Sequence, residues 1–128
     1  MKLIIILFFC IYFNFNGNSQ IIPDNYLKFT AKADSCIEIK QYSSATIFFN
    51  QAFISNNGMG KVIDRFKDAN CWSILNNPDS AFFQLEKIAN GGKFTKYQQL
   101  ENNLNFVNLK SDERWNKVIE KIKSNLNK

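Results

Sequence analysis

The chain has no histidine, and this absence removes more chemistry than any motif present supplies. Without an imidazole there is no Ser-His or Cys-His nucleophile pair, and the commonest zinc ligand is missing. Cysteine is scarce too: Cys10, Cys36 and Cys71 are the whole complement among 128 residues, too few and too scattered to close a zinc site unaided. Five glycines and two prolines occur. None belongs to a G-x-G-x-x-G or G-x-x-x-x-G-K-S/T element that would cradle a phosphate. Gly58, Gly60, Gly91 and Gly92 read instead as helix stops. No stretch alternates apolar and polar residues in the strand manner, so the sheet classes are excluded. Asp64 and Asp68 share a helical face, and a carboxylate pair at that spacing reads as solvated surface rather than as an acid–base couple. The sequence therefore predicts a chain that is not an enzyme, with no catalytic residue, no metal site and no cofactor.

What is present begins with an export signal. Lys2 supplies a positive start, residues 3–13 form an unbroken apolar run, and residues 14–19 are small and polar. Gly17 and Ser19 fit the −3 and −1 positions of a signal-peptidase site, with Gln20 as the new N-terminus. The run is short of the roughly 20 residues a membrane span needs; an uncleaved N-terminal anchor is the alternative. A lipidation site at Cys10 is disfavoured by Phe9, which stands where a small residue belongs. Cleavage removes one lysine and no acid, and takes the net charge from +5 to +4. That mild excess is spread along the chain rather than gathered in a strip, so nucleic acid is not an expected partner. Cys36 and Cys71 remain after cleavage. In an oxidising compartment they have the option of pairing, and on apolar helix faces the option of serving as small core residues. Asparagine occurs eighteen times, which reads as compositional drift.

Residues 20–128 read as all-α. Apolar and small residues recur at helical spacing from Tyr26 to Lys40, and again through Ala45, Phe48, Phe49, Ala52 and Phe53. Residues 56–60 ("NNGMG") close the second helix. A third helix spans 61–75. Asn77 and Pro78 then start a fourth, with proline at the first helical position, and it stops at Gly91-Gly92. Short helices around Tyr97–Leu100 and 104–109 follow. Ser111 is the expected cap of a last helix whose stripe is Trp115, Val118, Ile119 and Ile122. Its acids lie in the first turn and its lysines in the last, as the helix dipole favours.

A shift of 36 residues superposes the first helix pair on the second. Ala33 meets Ala69, Ile39 meets Leu75, Ala45 meets Ala81, and Phe49 meets Leu85. Small residues recur where helices approach closely, and large ones where they lock. Repeats of this length and type resemble the tetratricopeptide (TPR) family, whose unit is about 34 residues. Tyr42, Ala45, Phe49 and Ala52 match its second-helix pattern, and Ala33 its small first-helix position. The segment "ANCWSILNNPDSAFFQLEKI" is similar to the form common in exported bacterial TPR proteins. "LENNLNFVNLKSDERWNKVIEKI" is similar to the closing segment of that group. The resemblance spans about residues 26–123, with repeats at about 26–57 and 62–91 and a C-terminal cap at 94–128. Ile88 departs from the pattern, since an alanine belongs there.

The resemblance implies a short helical solenoid whose first helices line a concave groove. That geometry sets Asp34, Ile37 and Glu38 beside Lys67, Asn70 and Ser73. Asp34, Glu38, Lys67, Asn70 and Ser73 are accordingly the candidate partner-binding residues, Lys67 as a point charge and Asn70 as donor and acceptor. The implied function is an exported protein–protein interaction module of the periplasm or cell envelope, taking a peptide or helix of a partner. The alternative is a structural, self-associating subunit of an envelope assembly. The phenylalanines of the second helices (Phe48, Phe49, Phe53, Phe82, Phe83) exceed what so small a core needs.

Overall fold

The computed structural model describes residues 21–128; the expected signal segment with Cys10 and its cleavage position lies outside the described residues. Six α-helices run in order: α1 (Asp24–Glu38), α2 (Tyr42–Ser55), α3 (Val62–Ile74), α4 (Pro78–Asn90), α5 (Tyr97–Glu101) and α6 (Glu113–Ser124). 3₁₀ segments at Leu104–Leu109 and Asn125–Asn127 complete the path, and there is no strand among the described residues. The all-α expectation holds.

Local chemistry sets the helix ends. The Asn77 side chain accepts from the Ser80 amide at 3.1 Å, and Pro78 opens α4, where the missing N–H is no loss. At α6 the cap is Asp112 and not Ser111: the Asp112 carboxylate accepts from the Arg114 amide at 2.9 Å. Arg114 then explains the one-residue correction. Its guanidinium grips Asp112 and reaches Asp79 at the start of α4 at 2.8 Å. This clamp holds the Asp112 carboxyl down at about 2.

Three helices end in the same way. Lys40, Asn57 and Asn76 adopt left-handed φ of 60°, 57° and 56°. After each, the next amide donates back to the carbonyl five residues earlier: Gln41 to Cys36, Gly58 to Phe53, and Asn77 to Trp72. This is the Schellman closure. Lys40 and Asn76 lie 36 residues apart, so the α1–α2 and α3–α4 turns share one geometry in register with the sequence match. Gly60 differs from the expected helix stop. It lies just before α3, where an added Cβ would fall 2.5 Å from the Phe53 ring, so close approach rather than termination requires glycine.

Each pair packs on itself, α1 against α2 and α3 against α4, and α2 and α4 then contact α3 and α6 respectively. Ala33, Ala45, Phe49, Ala69, Ala81 and Leu85 are all fully buried. Ile39 and Leu75 do not lock the helices as the repeat alignment implies. They occupy the C-cap positions of α1 and α3, past the packed turns, and both are exposed. One apolar cluster centres on Tyr26, Phe49 and Phe53 between α1 and α2, with Cys71 reaching into it. A second gathers Phe82, Leu85 and Ile88 of α4 with Leu100, Phe106 and the α6 stripe around Trp115. Ile88 is accommodated there beside Ala89. Of the phenylalanine excess, Phe49, Phe53 and Phe82 are core, Phe48 is half-buried, and Phe83 alone of the five is exposed.

Lysine pays a steric cost at φ near +60°, on the order of 1–2 kcal/mol, that asparagine partly and glycine wholly avoids. Lys40→Gly is therefore expected to raise the urea midpoint by the equivalent of about 0.5–1 kcal/mol, after the glycine's extra unfolded entropy is deducted. Asn76→Gly at the equivalent turn is expected to raise it less.

Candidate functional site

The five groove candidates fall on two facing helices, as expected, but they are not equivalent. Lys67 Nζ and Asp34 Oδ1 pair at 2.8 Å across α1 and α3, with both side chains about 40% exposed (36% and 43%). A pair so placed stabilises by less than about 1 kcal/mol. Glu38 is exposed one turn further along α1. Asn70 donates to the Phe66 carbonyl, and its side-chain oxygen accepts from Asn103 at 2.9 Å and Asn105 at 3.1 Å. Ser73 is buried and donates to the Asn105 carbonyl. The 103–108 stretch thus lies along the C-terminal half of α3, covering Ser73 and bonding Asn70 at the edge of what remains open.

What stays open between α1 and α3 is a cleft of about 320 Å³, walled by Ile37, Tyr42, Cys71 and Ile74, with Lys67, Asn70 and Asn105 as its polar lining. The thiols here are free. Burial pushes the Cys71 thiol up to about 12, so it behaves as an apolar core group rather than a nucleophile.

The opposite side of α3 overturns the reading of Asp64 and Asp68 as solvated surface. Asp64, Arg65 and Asp68 are 6%, 7% and 1% exposed. α2 and α4 close over this face, and a helical-wheel argument drawn on α3 alone does not see them. Tyr26 of α1 donates to Asp64 Oδ2 at 2.6 Å and accepts from the Lys61 amide. Burial and the Asp64 carboxylate together push the Tyr26 phenol well above its ordinary range. Arg65 donates to Gln84 Oε1 at 2.7 Å and to the Gly58 carbonyl at 2.8 Å, and stacks 4.6 Å from the Phe53 ring centroid.

Asp68 is not satisfied in the same way. The Trp72 indole N–H bonds its carboxyl, but Oδ1 has no partner. Burial lifts the carboxyl to about 7, against the opposing pull of the Trp72 bond and the Arg65 charge. Asp68 lines a cleft of about 370 Å³ with Thr46 and Asn50 of α2, Trp72 of α3, and Asp79, Ser80, Phe83 and Gln84 of α4. Trp72 therefore packs between helices while also presenting a surface to this cleft. The sequence signal for Asp68 was its helix face, shared with Asp64, and the Asp-x-x-x-Trp spacing that lets the indole reach it. No protein-family model, curated protein or solved structure matches the chain.

Two expected outcomes follow from the buried charges. Tyr26→Phe strands Asp64 and the Lys61 amide, and is expected to cost about 1–3 kcal/mol in thermal or urea unfolding. For Asp68, folding raises proton affinity, so the folded chain holds a proton between about pH 4 and pH 7 that the unfolded chain has lost. Its contribution to stability is complete at low pH, falls as pH rises through that window, and is flat above it. Asp68→Asn is expected to stabilise the chain more at about pH 8 than at about pH 5, by roughly 2 kcal/mol. Urea unfolding at the two pH values measures this difference.

Proposed function

We propose that the protein is an exported, TPR-like interaction module without catalytic activity of its own, which takes a peptide or helix of an envelope or periplasmic protein between α1 and α3. The observation that carries this reading is the α1–α3 cleft. Apolar walls from Ile37, Tyr42 and Ile74 stand beside a lysine held only by a half-exposed ion pair, an arrangement suited to an apolar anchor with an acidic or carboxylate neighbour. The 36-residue register of the two helix pairs supports the repeat assignment, and the sequence of residues 1–19 supports export. Of the candidate residues, Lys67 and Asn70 line the cleft, Asp34 is the ion-pair partner of Lys67, Glu38 is exposed further along α1, and Ser73 is buried against the Asn105 carbonyl.

A second reading, self-association as a structural subunit, is favoured by one specific observation. Ile47 and Ile54 of α2 and Phe83 of α4 are each more than half exposed, a set of apolar side chains on the second helices of the two pairs.

The deciding experiment is capture of tagged full-length protein from its own cell-envelope extract, with mass spectrometry of what is retained. A stoichiometric partner is expected, with retention falling at least about fivefold in Lys67→Glu, a surface change that leaves the fold intact within about 1 kcal/mol. Bait recovered alone as a monomer rejects both readings; bait recovered alone as an oligomer that Phe83→Ser dissolves favours the second.

A further inference from the structure

The cleft among α2, α3 and α4 takes no part in that reading. Its volume, about 370 Å³, is at the lower end of what a small-molecule site occupies. At its base is Asp68, 1% exposed, with one carboxylate oxygen lacking any hydrogen-bond partner. An unmatched buried carboxylate costs free energy that a complementary group would recover. The nearest cation does not supply it, because Arg65 directs its terminal nitrogens to Gln84 and to the Gly58 carbonyl.

The charge of the lining narrows the ligand. Among the lining residues the charged ones are Asp68 and Asp79, in a chain whose net charge is +5. An anion is disfavoured there. A hard metal ion takes about six or more oxygen ligands, and no group of three or more metal-ligating side chains occurs among the described residues. The rest of the lining is uncharged: Thr46, Asn50, Ser80 and Gln84 are polar, and Trp72 and Phe83 are aromatic, and aromatic faces attract organic cations. Phe83 already shows this affinity: the Lys87 ammonium sits 5.4 Å from its ring centroid.

We propose that this cleft binds a small organic cation, an ammonium group on an apolar body, with Asp68 as its counter-charge, Asp79 at the rim and Trp72 and Phe83 as walls. The site is separate from the α1–α3 cleft, so the two assignments stand or fall independently. Binding is linked to protons. Asp68 faces Arg65, Cys71 and Trp72 on its own helix, and Asp79 and Gln84 on α4, with Asp79 tied to Arg114 of α6; α2 contributes the uncharged Thr46 and Asn50. Among these Asp68 is the group that ionises near neutrality. An ammonium ligand favours its carboxylate form, so binding releases a proton below about pH 7 and tightens as pH rises.

The test is isothermal titration calorimetry of the full chain with 2-phenylethylamine, using 2-phenylethanol as the neutral analogue and phenylacetate as the anion. The amine is expected to bind at least about tenfold more tightly than either analogue, and about tenfold more tightly at about pH 8 than at about pH 5. Proton release should appear as a dependence of the enthalpy on buffer. Asp68→Asn, which stays folded because it removes a buried charge, is expected to abolish the preference for the amine over the alcohol. Phe83→Ala, at an exposed position, should weaken the amine several-fold, and Lys67→Glu should leave it unchanged. Equal binding of amine and alcohol, undiminished amine binding by Asp68→Asn, or no amine binding at about pH 8 overturns the proposal.

Discussion

Helix α3 runs through the middle of the molecule with Asp64, Arg65 and Asp68 all turned inward; neighbours answer the first two in place of the excluded water, while one oxygen of Asp68 is left unpaired. The answers come from different places. Tyr26 brings α1 to Asp64, the Gly58 carbonyl brings the α2–α3 loop to Arg65, and Gln84 brings α4 to Arg65 from the other side. Apolar packing drives these elements together but has no strong preference among sliding arrangements. Hydrogen bonds to fixed charges do, since a shift of an ångström leaves a buried group unpaired. The helix pairs are thus held in one relation to each other by a polar axis inside an apolar shell.

The helices themselves were legible, because their periodicity, the Asn77-Pro78 start and the Asn and Gly stops are local signals. The alanines at 33, 45, 69 and 81 declared the closest contacts through the 36-residue match. Two features were not legible, and for a common reason. Asp64 and Asp68 have the spacing of a solvated face, and only the arrival of α2 and α4 makes that face an interior. Asn70 and Ser73 have the spacing of an open groove, and only the later 103–108 stretch buries Ser73 and engages the Asn70 amide. In both cases the deciding partner lies on another element, where no helical-wheel argument on α3 reaches.

The same reasoning separates the two clefts. The α1–α3 cleft is apolar, with its one lysine already paired to Asp34, and gains its polar character at the edge. The α2–α3–α4 cleft is acidic at its base, and its buried carboxyl is the least satisfied polar group on the central helix. One molecule therefore presents two recesses of opposite character on the two sides of α3.

The eighteen asparagines looked like compositional drift, yet five of them form a seam: Asn103 and Asn105 bond Asn70, Asn108 bonds Asn76, and Asn103 caps its own turn. Amides carry no net charge, so this seam feels neither ionic strength nor acidity. The part-exposed Lys67–Asp34 tie between α1 and α3 is screened by salt. The chain is consequently jointed with two kinds of fastening: brine weakens the ionic ties, Lys67–Asp34 between α1 and α3 and Arg114–Asp79 between α6 and α4, and leaves the amide seam along α3 as it is.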